Sequence, residues 1–399
     1  MEKRIVITGI GVLAANGSGK DAFFENSKHG ISGLKKATLF DSTKFRTEFV
    51  GEIDNPDFPY LTNTPQEKER ITYIMEQAIE EAYEDANLTP EIVSSYKEKS
   101  YLTFATSLAA NGRIIGHVKD TRNGILQSEW LTQIPSFVPW IKDKCGILGG
   151  CYVTMAACAA GTTAAGMAYD LIKSGKADLV ICGGADPLTE FSCLGFNVLK
   201  SLSSSLCKPF DNDRDGINIG EGGAFFVIET LESAIQRNAK IYAEIFGYGI
   251  NNDAYHITSP SPIGEGAIAS MGMALSNTLI TPTDITYINS HGTGTKLNDA
   301  MEIYAIENFF GETDVYVSTN KSMIGHCLAA AGAIELASTL LTIAQDYIIP
   351  NVRLKDEMGR ADSINLPTDG INKKIDFALS NSYAFAGNTA SILLGKFYE

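Results

Sequence analysis

The sequence predicts an α/β fold of layered sheets. Short β-branched or apolar runs alternate with stretches of helical period, and the alternation occurs twice along the chain. No Pro/Gly/Ser-rich linker separates the two occurrences, so both halves are expected to share one core. A length of 399 residues fits two domains or one duplicated unit, with ample chain to bury a core.

Taken in order, residues 4–8 read as a buried β-branched strand that ends in a turn at Gly9. Residues 30–65 carry Gly, Pro, Asn and Asp punctuation and read as loops with short strands. Residues 65–88 are charged with helical period, placing Ile71, Ile74, Ala78 and Ala82 on one face. Residues 101–106 form an apolar strand, and 111–144 a helical excursion. An apolar run at 152–155 leads through small residues and Cys158 into a helix ending near Gly175. A fully apolar strand follows at 177–184, then a polar loop at 201–223 and a strand at 224–229. The second half repeats this logic: strands at 285–289 and 315–319, a helix at 329–344, then strands at 375–380 and 390–394 around NSYAFAGNT. The helices after Cys158 and after His326 share a small-residue start and an apolar body. Gly161 and Gly332 are expected to be equivalent positions of a faint duplication.

Hydrophobic content of 44% and charged content of 20% are ordinary for a globular protein. A net charge of −15 argues against nucleic-acid binding, because no basic field is present to collect phosphates. The N-terminal residues read as a strand and glycine turn and not as a signal segment. The richest apolar run, 327–344, is interrupted by Glu335, so no membrane span is expected. Seven cysteines make an odd count with no CxxC pair, which points to free thiols in a reducing cytoplasm.

Cys158 stands at the start of a helix among residues too small to block access. Unpaired N–H groups and the positive end of the helix dipole there favour a thiolate. His291, in HGTGT, and His326, in KSMIGH, each follow a strand and adjoin glycine, where backbone can approach a ligand. These three residues are too scattered for the close spacing of a zinc site, whereas a Cys–His catalytic set needs no proximity in sequence. HGTGT lacks the spacing of a phosphate loop. Thr293 and Thr295 are left with two readings: contacts to an extended polar arm, or a turn that caps the next helix.

Six motifs occur in one order: AACAAG around Cys158, KPFDNDRDG at 208–216, GEGG at 220–223, NSHGTGTKLND at 289–299, KSMIGH at 321–326 and NSYAFAGN at 381–388. With them the chain resembles the β-ketoacyl-acyl carrier protein synthases, elongating condensing enzymes of the thiolase superfamily, over essentially its whole length. The resemblance implies a duplicated five-layer αβαβα fold with two mixed five-stranded sheets, one half at 1–240 and the other at 241–399. It implies Cys158 as the nucleophile that takes an acyl chain from carrier-protein pantetheine. It further implies His291 and His326 as donors to the malonyl thioester oxygen, with Lys321 beside the second histidine. Glu335 and Asp299 support them, Thr258, Thr293 and Thr295 contact pantetheine, and Phe385 is the gate whose N–H, with that of Cys158, forms the oxyanion hole. No metal or organic cofactor is implied beyond the phosphopantetheine on the carrier. The implied partners are acyl carrier protein and either a second copy or a chain-length-factor homologue.

The family motif NSFGFGGTN is altered here: Tyr383 replaces a Phe, Ala384 and Ala386 replace glycines, and Asn388-Thr389 inverts the usual order. Ile217 stands where Phe is usual. Alanine resists positive φ, so an altered gate is expected. This favours a ketosynthase subunit of type II polyketide or polyene assembly. Housekeeping fatty-acid elongation is the alternative, and a non-catalytic chain-length factor is disfavoured by the presence of Cys158, His291 and His326. Carrier proteins are acidic like this chain, so docking is expected to need a local basic patch, with Lys68, Arg70, Lys200 and Lys208 as candidates. Acyl-pocket depth is expected to depend on residues 106–110 and 137–140.

Overall fold

The computed structural model describes residues 3–55, 58, 69–108, 111–125, 137–359 and 364–398. In the first half the sheet is built from β1 (Ile5–Ala14), β2 (Ser100–Ala105), β3 (Cys151–Thr154), β4 (Leu179–Asp186) and β5 (Gly222–Thr230). In the second it is built from β6 (Ala243–Asn252), β7 (Ile285–Asn289), β8 (Val315–Ser318), β9 (Phe377–Tyr383) and β10 (Asn388–Gly395). The principal helices are α1 (Arg70–Asp85), α2 (Ala160–Lys173), α3 (Glu190–Val198), α4 (Glu265–Leu275), α5 (Lys296–Phe310) and α6 (Ala331–Gln345).

The two halves have one topology. The first runs β3-β2-β4-β5-β1 and the second β8-β7-β9-β10-β6. In each, the first three neighbours are parallel and the last two contacts antiparallel. The two five-stranded sheets meet through a short antiparallel contact, Val6 with Glu244 and Ile7 with Ala243. Helices α2 and α6 lie between the sheets and pack on each other, while α1 covers β1 and β5, and α4 covers β6 and β10. This is the five-layer thiolase arrangement.

Each layer follows from its residues. α1 buries Ile71, Ile74, Ala78 and Ala82, the predicted face. β1 continues through Gly9 where a turn was expected. Glycine acts there by close approach: a Cβ on Gly9 would lie 2.4 Å from the Ala82 carbonyl, and one on Gly11 1.9 Å from that of Ala78. The stretch Leu328–Gln345 is apolar and long enough to cross a membrane, yet 89% of it is buried inside the protein. Its burial on all sides explains the absence of a polar face. The 111–144 excursion resolves into helices Asn111–Arg122 and Phe137–Cys145. Lys68, Ala109 and Ala110 lie outside the described residues.

At the crossing of α2 and α6, Gly161 and Gly332 face one another. A Cβ on Gly161 would sit 2.4 Å from the Ala333 nitrogen, and one on Gly332 2.4 Å from Thr162 Oγ1. Only hydrogen at both positions lets the helices approach this closely. Ahead of each helix stands a 3₁₀ turn, Ala157–Ala159 and Leu328–Ala330. Each opens on a non-glycine residue in the left-handed region, Ala157 at φ 48° and Leu328 at φ 51°. Gly161 follows Ala157 by four positions and Gly332 follows Leu328 by four, so the elbows correspond in register.

Candidate active site

Cys158 sits in the 3₁₀ turn at the start of α2, 8% exposed. It shares a cavity of about 490 Å³ with His291, His326 and Phe385. Thr258, Thr293 and Thr295 line the same cavity, which runs outward past exposed Leu199 and Leu297. One void thus connects the buried sulfur with the surface. Among the described residues no group of three or more His, Cys, Asp or Glu side chains gathers as a metal centre.

The imidazoles lie edge to face, with ring centroids 5.4 Å apart. Both are buried, and burial lowers both pKa values: His326 to about 3, and His291 well below its ordinary value, with Lys321 adding to each shift. Both rings are therefore neutral near pH 7. The Leu328 N–H donates to His326 Nδ1 at 3.0 Å, which leaves the proton on Nε2. Lys321 Nζ lies 3.2 Å from His291 Nδ1 and also donates to the His291 carbonyl, which again leaves Nε2 protonated. Two neutral N–H donors result.

Lys321 was expected beside the second histidine, its neighbour in sequence. In space its ammonium contacts the first, at His291 Nδ1 and the His291 carbonyl. Its counter-ion is Glu335 on α6. Burial pushes the Glu335 carboxyl up to about 7, and Lys321 opposes that shift. Asp299 accepts from the N–H groups of Thr293 and Gly294 at 3.1 Å and of Phe210 at 2.9 Å, tying HGTGT to the KPFDNDRDG loop. Lys321, Glu335 and Asp299 stand behind the cavity wall and not on it.

Cys158 departs from expectation. Burial pushes its thiol up to about 12, with Lys321 opposing and Glu335 and Asp186 adding to the rise. The helix start alone favours a thiolate, but desolvation outweighs it, so the resting group is a thiol. Thr295 caps α5 by accepting from the Asn298 N–H at 3.3 Å, which is the capping reading of that turn, and it also lines the cavity.

In the NSYAFAGN loop, Ala384 is extended at φ −133°, so its methyl adds no backbone strain, contrary to expectation. Ala386 does occupy the left-handed region, at φ 60°. Its N–H donates to the Ile257 carbonyl at 2.7 Å. The Tyr383 ring is buried 6.1 Å from that of His291, and Ile217 lines the cavity. Arg70 is no docking residue. It is buried and paired through two nitrogens with Glu221. Lys200 is exposed on the cavity rim, and Lys208 is half-buried.

Sequence reasoning missed Phe196 and Glu302. Phe196, on α3, stacks on Phe385 at 5.7 Å and lies 6.5 Å from the His326 ring. Nothing in the local pattern distinguishes it from a core aromatic. Glu302, one turn after Asp299, accepts from the N–H groups of His291 and Gly292, both at 2.8 Å. Burial pushes its carboxyl up to about 8. Its signal was available: a second acid at helical spacing behind HGTGT.

Comparison with known proteins agrees with this geometry. The beta-ketoacyl synthase N-terminal domain family matches residues 2–234, and the beta-ketoacyl synthase C-terminal domain family matches 242–355. The 3-oxoacyl-[acyl-carrier-protein] synthase 2 of Staphylococcus aureus (strain COL) is 34% identical over 415 aligned positions, covering 99% of each chain. A type II PKS ketosynthase, solved in complex with its acyl-carrier protein, superposes with TM-score 0.91 at 30% identity over 100% of both chains. The ishigamide ketosynthase/chain length factor does so at 0.91 and 28% identity, again over 100% of both.

Proposed function

The chain belongs to the β-ketoacyl synthase family, and from that premise we propose how its own residues carry out the condensation. An acyl chain on carrier-protein pantetheine enters past Thr258, Thr293 and Thr295. The Cys158 sulfur attacks the thioester carbon and the pantetheine sulfur leaves, taking up the proton that the thiol gives up. The N–H groups of Cys158 and Phe385 hold the oxyanion. Malonyl on a second carrier then places its thioester oxygen between the two imidazole Nε2–H donors. The C–C bond to the carboxylate breaks, CO2 departs, and the electron pair forms an enolate on that oxygen. The enolate carbon attacks the acyl-Cys158 carbonyl; a C–C bond forms and the C–S bond breaks. The departing thiolate takes a proton from water, and the product is two carbons longer.

The observation that carries this reading is one cavity holding a sulfur and two neutral imidazoles whose Nδ1 atoms are both engaged. Preorganised donors of this kind contribute about 3–4 kcal/mol each. Lys321 and Glu335 hold His291 in its tautomer, and Asp299 holds the threonine loop. Phe385, stacked on Phe196, gates the cavity. The chemistry asks for no cofactor beyond the carrier's phosphopantetheine.

We assign the halves as 1–240 and 241–399, and place the enzyme in a cytoplasm that keeps its thiols reduced. For pathway we favour polyketide or polyene assembly, paired with a chain-length-factor homologue, over fatty-acid elongation by a homodimer. The supporting observation is the gate: Ala386 is held left-handed and Tyr383 stands against His291. Incubation with octanoyl and malonyl carrier proteins tests both levels. Intact mass should show octanoyl on Cys158. Efficient condensation by the chain alone would overturn the heterodimer reading in favour of fatty-acid elongation. An octanoyl adduct that persists in Cys158→Ala would overturn Cys158 as nucleophile.

A further inference from the structure

We propose that Thr162 is a positioning residue for the histidine pair, acting through Ser382, Glu335 and Lys321. The proposal rests on the reading of His291 as a donor to the enolate oxygen.

The connection is continuous. Thr162 Oγ1 lies 2.8 Å from Ser382 Oγ, and Ser382 donates to Glu335 Oε2 at 3.4 Å. The other Glu335 oxygen pairs with Lys321, whose Nζ faces His291 Nδ1 at 3.2 Å. All five side chains are buried, with none more than 2% exposed as a residue. The direction of the hydroxyls follows from chemistry. Glu335, ion-paired with Lys321, accepts from Ser382, which commits that hydroxyl's single proton, so Thr162 donates to Ser382. Aligned hydroxyl donors strengthen one another in a site away from water.

Three features mark Thr162 as more than a helix residue. It stands one turn after Cys158 on α2, so the nucleophile's helix carries the first link. Its neighbour Thr163 donates within the helix, to the Ala159 carbonyl at 2.9 Å, whereas Thr162 reaches out of it. Room for that reach exists because position 332 is glycine; a Cβ there would lie 2.4 Å from Thr162 Oγ1. The register of the two elbows makes Ala333 the counterpart of Thr162, and alanine has no hydroxyl. The link therefore runs one way, from the first half's helix to the second half's carboxylate. It holds the Ser382 hydroxyl on Glu335, keeps that carboxylate on Lys321, and so keeps the His291 proton on Nε2.

The test uses the full-length enzyme with its carrier proteins and follows two steps separately: loading of Cys158 from octanoyl carrier, and decarboxylation of malonyl carrier. Thr162→Val should lower kcat for decarboxylation about threefold to tenfold, with KM for malonyl carrier and the loading rate unchanged. Thr162→Ser should restore the rate, and Thr162→Ala, which also lacks the hydroxyl, should match Thr162→Val. In a Ser382→Ala background, Thr162→Val should add nothing. Wild-type decarboxylation by both Thr162→Val and Thr162→Ala overturns the proposal alone. So does an additive effect with Ser382→Ala, or an equal loss of loading that Thr162→Ser fails to restore. A wild-type enzyme that neither loads nor decarboxylates overturns the site reading and this proposal together.

Discussion

The two 3₁₀ elbows at the inner ends of α2 and α6 share one backbone and differ in their surroundings. Both open on a left-handed residue and both lead into a helix whose first turn holds the crossing glycine. In the first, Cys158 faces the cavity. In the second, the equivalent residue is Ala329, and its N–H donates to Asp186 at 2.8 Å. That carboxylate also accepts from Thr106 Oγ1 and the N–H groups of Ser107 and Leu108. Among the described residues no carboxylate accepts from the Cys158 N–H. One elbow thus opens on a cavity, and the other is a structural knot tying the second half to the loop after β2. A strained left-handed residue costs about 1–2 kcal/mol wherever it falls. Because the strain recurs at Leu328, it belongs to the shared fold; the sulfur and the cavity distinguish the first elbow, as does the lack, among the described residues, of a carboxylate on its amide.

The largest expected effect breaks the comparison directly. Cys158→Ala should lose acyl loading by about 10³-fold or more, read by intact mass. Adding Ala329→Cys to that variant should restore nothing, because the second elbow's amide is committed to Asp186. Recovery of loading would show that the backbone alone makes a nucleophile.

The thiol itself offers the next test. With the Cys158 pKa near 12, its thiolate fraction rises with pH throughout the accessible range. Alkylation of Cys158 by iodoacetamide should accelerate about tenfold per pH unit between about pH 7 and 9, or about a hundredfold in all. A rate flat over that range would mean that the helix start outweighs burial after all.

The smallest effect sharpens the symmetry. Gly161→Ala and Gly332→Ala each force a methyl into the helix crossing and should each destabilise by about 1–3 kcal/mol in urea unfolding. Similar losses are expected because the two contacts are nearly equivalent. A much larger loss of decarboxylation in Gly332→Ala alone would follow from its contact with Thr162.

Much of the site was legible as residue types. Cys158, His291 and His326 stood out because each sits beside glycine or small residues at a strand end, and the cavity does bring them together. What escaped notice depends on distance through space. Lys321 is five residues from His326 yet serves His291. Arg70 carries a charge that suggested surface, but Glu221 supplies it with a buried partner from a distant loop. Phe196 is an ordinary aromatic until it is placed between Phe385 and His326. At Gly9 the usual association of glycine with turns failed because the pressure came from a helix some seventy residues on, where Ala82 lies against the strand.

By itself, the order of apolar runs and small-residue helices determined the layered α/β architecture, its duplication and the chemistry available, since these depend on local period and on side-chain type. Tertiary structure alone decided which of two matching elbows opens on the cavity, which imidazole the lysine holds, and that burial raises the thiol pKa. Each of those depends on desolvation and on hydrogen-bond partners contributed by the opposite half, and neither quantity exists until the two sheets close around α2 and α6.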